Sequence, residues 1–128
     1  MKAAVTVSLL AALVAGPAFA SCEAPNTTIK VPSGETATKD EMLVTQRAIK
    51  DLDAATKVYE TCLQQDSDAA VAAAGDKATD EDKNKIATPY VQKQNAAVDK
   101  VKAIADSFNA ELKIWRAKNQ PAAAAPAK

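Results

Sequence analysis

Two cysteines, Cys22 and Cys62, are the side chains of this chain best suited to covalent chemistry. In an oxidising compartment such a pair closes a disulfide. The rival reading is a lipoprotein, in which Cys22 carries an acyl anchor through its sulfur and Cys62 is a lone thiol. Phe19-Ala20-Ser21-Cys22 is a poor lipobox, because lipoproteins usually carry leucine where Phe19 stands. The two cysteines are too far apart in sequence for a redox Cys-x-x-Cys motif. Histidine is absent, which removes the commonest general base and metal ligand at neutral pH. There is no Gly-x-Ser-x-Gly elbow and no glycine-rich phosphate loop. Asp80, Asp82 and Asn84 have the first spacings of a calcium loop, but Lys85 stands at the required glycine and Val91 at the required final glutamate. These acids read as the solvated first turn of a helix. Tyr59, Tyr90, Phe108 and Trp115 recur at helical spacing and read as core. No residue is assigned a catalytic, cofactor-binding or metal-binding role, no cofactor is implied, and the assigned pair is the disulfide Cys22 and Cys62. The chain reads as non-enzymatic.

Residues 1–20 have the form of a secretory signal peptide. Lys2 is the positive start, Ala3 to Ala15 is an apolar run, Gly16 and Pro17 break it, and Ala18-Phe19-Ala20 is a small-x-small cleavage site. The run is shorter than the about 18 apolar residues a membrane span needs. The expectation is cleavage after Ala20, no transmembrane segment in the mature chain, and a periplasmic or secreted protein.

Two long helices must position whatever the cysteines hold. Thr38 followed by Glu41 is a capping box, and Asp40 and Glu41 suit the positive end of a helix dipole. Met42, Thr45, Ile49, Leu52, Thr56, Tyr59 and Leu63 then recur at alternating spacings of three and four, one helical stripe. Arg47 with Asp51, and Asp53 with Lys57, can pair on the wet face. Residues 21–37, with Pro25, Pro32 and Gly34, have no helical period and read as an extended arm. From Thr38 to Cys62 a helix rises about 36 Å, and the arm from Cys22 to Thr38 can span about 53 Å. The arm can therefore run back along the first helix and be pinned at its far end, a closure worth roughly 3–4 kcal/mol on the chain-entropy model.

A second helix is expected over 79–118, acidic at its start and basic at its end. Its stripe is Ala87, Val91, Gln94, Val98, Val101, Ala105, Phe108, Leu112 and Trp115. Pro89 either kinks this helix or is its first residue with Thr88 as N-cap; one kinked helix is preferred, since the acids would otherwise cap nothing. Laid antiparallel about Gly75, the stripes pair Met42 with Phe108, Ile49 with Val101, Leu52 with Val98 and Tyr59 with Val91. A glycine there suits a left-handed helix cap, so the first helix extends to about Ala74 with the turn near 75. Residues 119–128, Ala- and Pro-rich, read as a disordered tail.

The mature chain resembles a group of small exported bacterial α-helical proteins of unknown function. The resemblance rests on Cys22-Glu23-Ala24-Pro25, Val31-Pro32-Ser33-Gly34, Ala37-Thr38 with Glu41-Met42, Tyr59-Glu60-Thr61-Cys62-Leu63 and, more faintly, Phe108-Asn109. It covers the arm and first helix well and the second helix loosely. It implies no activity; its shared cysteines are consistent with a structural pin.

The fold expected is all-α, an antiparallel helical hairpin (38–118) with coiled-coil-like packing and an extended N-terminal arm disulfide-bonded to helix 1. Lys+Arg and Asp+Glu balance at 16 each, so no basic patch argues for nucleic acid. Ala48, Ala55 and Cys62 flank one stripe, and Ile86, Tyr90, Ala97 and Ile104 flank the other. The apolar face is wider than one partner helix needs, and Ile29 and Val31 of the arm can cover part of it. The functional expectation is a non-enzymatic interaction or structural protein of the cell envelope, as a homodimer or with an amphipathic protein partner. A lipid-anchored envelope protein through Cys22 is the alternative, and a small enzyme or metal binder ranks last.

Overall fold

The computed structural model describes residues 22–119. The expected signal segment, its expected cleavage point and all of the expected tail except Asn119 lie outside the described residues. The described chain is all-α. Helix α1 spans Lys39–Ala73 and helix α2 spans Asp80–Asn119, packed against each other as a hairpin. The arm, from Cys22 to Ala37, is non-helical. Asn119 is the last residue of α2 and its side-chain amide donates to the Trp115 carbonyl, so the helix runs one residue past the expected end.

Both helices begin on the same device. Glu41 N–H donates to Thr38 Oγ1 at 3.2 Å, and Thr38 N–H donates back to Glu41 Oε2 at 2.7 Å. At α2, Asp82 N–H donates to Thr79 Oγ1 at 3.2 Å and Thr79 N–H to Asp82 Oδ2 at 3.1 Å. Hydrogen bonds to a carboxylate favour its ionised form. Thr38, its amide first and its hydroxyl second, holds Glu41 below its ordinary 4.5. Thr79, hydroxyl first, does the same to Asp82. A carboxyl lowered in the folded state contributes stability above its unfolded value and loses it as pH falls through the folded one. The melting temperature should therefore fall between about pH 5 and about pH 3, and a Glu41→Gln/Asp82→Asn protein should show a flatter dependence over that range by circular dichroism. Equal slopes would remove the caps as the cause.

α1 ends as expected. Gly75 has φ +76°, the left-handed conformation that glycine adopts without strain, and its N–H donates to the Ala72 carbonyl at 3.1 Å. α2 is continuous through Pro89. Thr88 is inside the helix rather than its cap, with its hydroxyl donating to the Asn84 carbonyl at 2.7 Å. Of the two surface pairs expected on α1, Lys57 with Asp53 is formed at 2.6 Å; Arg47 and Asp51 are not paired among the described residues.

The core is narrow. Met42, Leu52 and Leu63 of α1 and Phe108 of α2 are its buried apolar side chains, joined by Thr45, Thr56 and Ser67. Thr45 spends its hydroxyl on the Glu41 carbonyl at 2.9 Å. Thr56 is 2% exposed and its Oγ1 has no partner. An unpaired buried hydroxyl costs about 1–3 kcal/mol, so Thr56→Val should raise the urea midpoint, by about 1 kcal/mol in stability. A destabilised variant would show that the hydroxyl is satisfied.

The expected stripe of α2 is corrected in one respect. Val91 and Val98, placed opposite Tyr59 and Leu52, are 47% and 42% exposed. Ile86, Tyr90, Ala97 and Ile104, expected at the flank, are partly buried with Gln94 and Val101, on the side of the buried Phe108. Gln94 Nε2 donates to the Glu60 carbonyl at 2.9 Å, where pairing about Gly75 puts Tyr90 opposite Glu60. The arm is the reason for the rotation. Ala24, Pro25 and Thr27 share a hollow with Tyr59 of α1 and Ala97 and Lys100 of α2. The inward face of α2 thus turns to serve two neighbours, α1 and the arm.

Candidate functional site

The arm is fastened at both ends, and the fastening at its N-terminal end brings together the chain's most reactive groups. Cys22 and Cys62 form a disulfide with a Cα–Cα separation of 5.8 Å, within the usual range for such bonds. The pairing expected from sequence is present. A lipid anchor at Cys22 would need the same sulfur as a thioether, so the two states exclude each other. Asp66, one helical turn beyond Cys62, places its Oδ2 3.1 Å from Cys22 Sγ. All three residues are partly buried. A disulfide sulfur carries no proton, so this contact is not a hydrogen bond. Among the described residues Asp66 has no hydrogen-bond donor and no ion-pair partner.

The other end is closed by a glycine. Ser33 to Ala37 make a tight turn in which Thr36 and Ala37 N–H donate to the Ser33 carbonyl. Gly34 is buried against α2. Its N–H donates to Glu111 Oε2 at 2.6 Å, and a Cβ at this position would lie 2.1 Å from the Glu111 carbonyl oxygen and 2.9 Å from the Trp115 nitrogen. Trp115 Nε1 donates to the Ala37 carbonyl at 2.9 Å, and Lys118 Nζ to the Glu35 carbonyl. The arm therefore spans the hairpin from the level of Cys62 to the last turns of α2.

Beside it lie open hollows. One, about 720 Å³, is bounded by Lys30, Val31 and Pro32 of the arm and by Asp40, Glu41 and Val44 of α1. Glu41 in its wall is committed to the N-cap. A second, about 360 Å³, exposes Cys62 beside Val58 and Gln65. A third lies between the helices at Ile49, Phe108 and Arg116, with a volume of about 280 Å³.

The remaining sequence candidates fall into structural places. Asp82 is occupied with Thr79, while Asp80 and Asn84 are exposed on α2. Phe108 is buried; Tyr59, Tyr90 and Trp115 are partly buried. Asp66 is marked by no motif of the sequence. Its signal is the Cys62–Asp66 spacing of four, which puts both on one helix face; what the spacing cannot show is that Cys22 arrives at the same point. Among the described residues no helix is long and apolar enough to cross a membrane. No family model, curated protein or solved structure matches the chain.

Proposed function

We propose that the protein is an exported, non-enzymatic interaction protein of the cell envelope, periplasmic or secreted, that presents one side of α1 to a second amphipathic helix. The observation that carries this reading is an exposed apolar strip. Val44 and Val58 are 64% and 71% exposed, and they lie on one side of α1, about four turns apart. Ala55, exposed, and Ala48, partly buried, lie between them on the same side. Ile29 and Val31 of the arm are partly buried, but Val44 and Val58 stay open. Exposed apolar side chains grouped on one side of a helix mark an interaction site, and a second hairpin of the same chain would complete a four-helix arrangement. The signal-peptide form of residues 1–20, the resemblance to small exported helical proteins and the disulfide support export.

Sedimentation across a wide concentration range tests this. The weight-average mass of the native protein should rise with concentration, and a Val44→Lys/Val58→Lys protein should stay monomeric. A native protein that is monomeric throughout and binds neither a hydrophobic dye nor an amphipathic helical peptide removes the reading.

A further inference from the structure

Asp66 has no role in the disulfide as it stands. Its carboxylate is partly buried, has no donor among the described residues, and is set 3.1 Å from a sulfur that has no proton to give. Cys22 Sγ, Cys62 Sγ and an Asp66 oxygen all lie within 4.8 Å of one another. We propose that, when the disulfide is reduced, Cys22, Cys62 and Asp66 bind one zinc ion, so that the same residues hold either a covalent bond or a metal.

The ligand chemistry favours zinc. Two thiolates and a carboxylate join soft and borderline donors, a set that suits this ion. At Zn–S distances of about 2.3 Å and Zn–O distances of about 2.0–2.2 Å, tetrahedral ligand atoms sit about 3.5–3.8 Å apart. The cluster is already within 4.8 Å, so modest side-chain rotation suffices once the sulfurs part. Cys62 and Asp66 are fixed by one turn of a rigid helix. Cys22 is brought to them by an arm that stays anchored at Gly34 and Trp115. Two thiolates and a carboxylate this close repel one another unless a cation lies among them, and zinc relieves that repulsion. The fourth position is left for water, since Cys62 borders an open hollow. The same opening admits a reductant.

The chemistry balances as follows. A dithiol reductant gives two electrons and two protons to the Cys22–Cys62 bond and becomes a cyclic disulfide; the S–S bond breaks and two thiols form. Zinc then replaces the two thiol protons, which pass to solvent, and gains two Zn–S bonds and one Zn–O bond. A disulfide oxidant that takes two electrons from the thiolates re-forms the S–S bond, is itself cleaved to two thiols with two protons from solvent, and releases the ion.

Cobalt serves as the spectroscopic probe. The intact protein, reduced with a phosphine that is then removed under anaerobic conditions, is titrated with Co²⁺. The expected result is a sulfur-to-metal charge-transfer band saturating at one ion per chain, its displacement by Zn²⁺, and release of two protons per ion. Asp66→Asn should weaken binding by about tenfold or more while leaving the melting temperature of the oxidised protein nearly unchanged. Zinc should raise the melting temperature of the reduced protein and leave that of the oxidised one unmoved. The proposal is overturned by a reduced protein with no charge-transfer band, folded or not, or by an Asp66→Asn protein that binds as tightly as the native one.

Discussion

A Cys22→Ser/Cys62→Ser protein will be less stable than the native one by about 4 kcal/mol. The bond joins residues with a sequence separation of 40, and closing a loop of that size removes about 4 kcal/mol of chain entropy from the unfolded state. With four apolar side chains buried among the described residues, that is a large share of a typical total of about 5–15 kcal/mol. Equilibrium urea unfolding of the two proteins measures it. The double variant should also show amide exchange speeding up in Glu23 to Lys30 well before α1 is affected, because Cys22 is the arm's covalent hold at that end. A loss below about 1 kcal/mol would mean that packing of Pro25 and Thr27 against Tyr59 and Ala97 fixes the arm without the bond.

Gly34→Ala is expected to cost about 3 kcal/mol. Ordinary overpacking costs about 1–3 kcal/mol because neighbouring side chains yield. Here the obstacles are a carbonyl oxygen at 2.1 Å and an amide nitrogen at 2.9 Å, both part of a hydrogen-bonded helix backbone. The turn must therefore lift off α2. Lifting breaks the 2.6 Å bond from Gly34 N–H to Glu111 and the 2.9 Å bond from Trp115 to the Ala37 carbonyl. Leaving Glu111 partly buried without its donor adds to the loss. The checks are a lower urea midpoint together with greater exposure of Trp115, read as a red shift of its fluorescence. A Gly34→Ala protein with native midpoint and native emission would place the turn away from α2.

The features legible in the sequence are those written in short-range patterns. Thr38 with Glu41, the three-and-four spacing from Met42 to Leu63, and Gly75 at the turn each depend on neighbours within a helical turn or two, and each is found where the spacing puts it. The Cys22–Cys62 pairing followed from counting cysteines and checking reach. The rotation of α2 was not legible. Val91 and Val98 fit a two-helix seam as well as Tyr90 and Ala97 do, and only the arm, a third body without periodicity, decides between them. Gly34 reads from sequence as a turn glycine among prolines; its closeness to Glu111 is a long-range fact that no local pattern carries. Asp66 carries no local pattern, and only the arm, by setting a sulfur beside it, singles it out.

The disulfide also determines how the chain would carry load. Tension applied at the two ends of the described chain passes from Cys22 through the bond to Cys62 and then along the rest of α1. The arm, the Gly34 turn and α1 up to Cys62 lie off the line of force. With a separation of 40 residues and about 3.6 Å of contour per extended residue, roughly 140 Å of chain stays in reserve while the bond is intact. Reduction would put that stretch on the line of force, where the contacts of Gly34 and Trp115 and the packing of α1 on α2 then resist its extension.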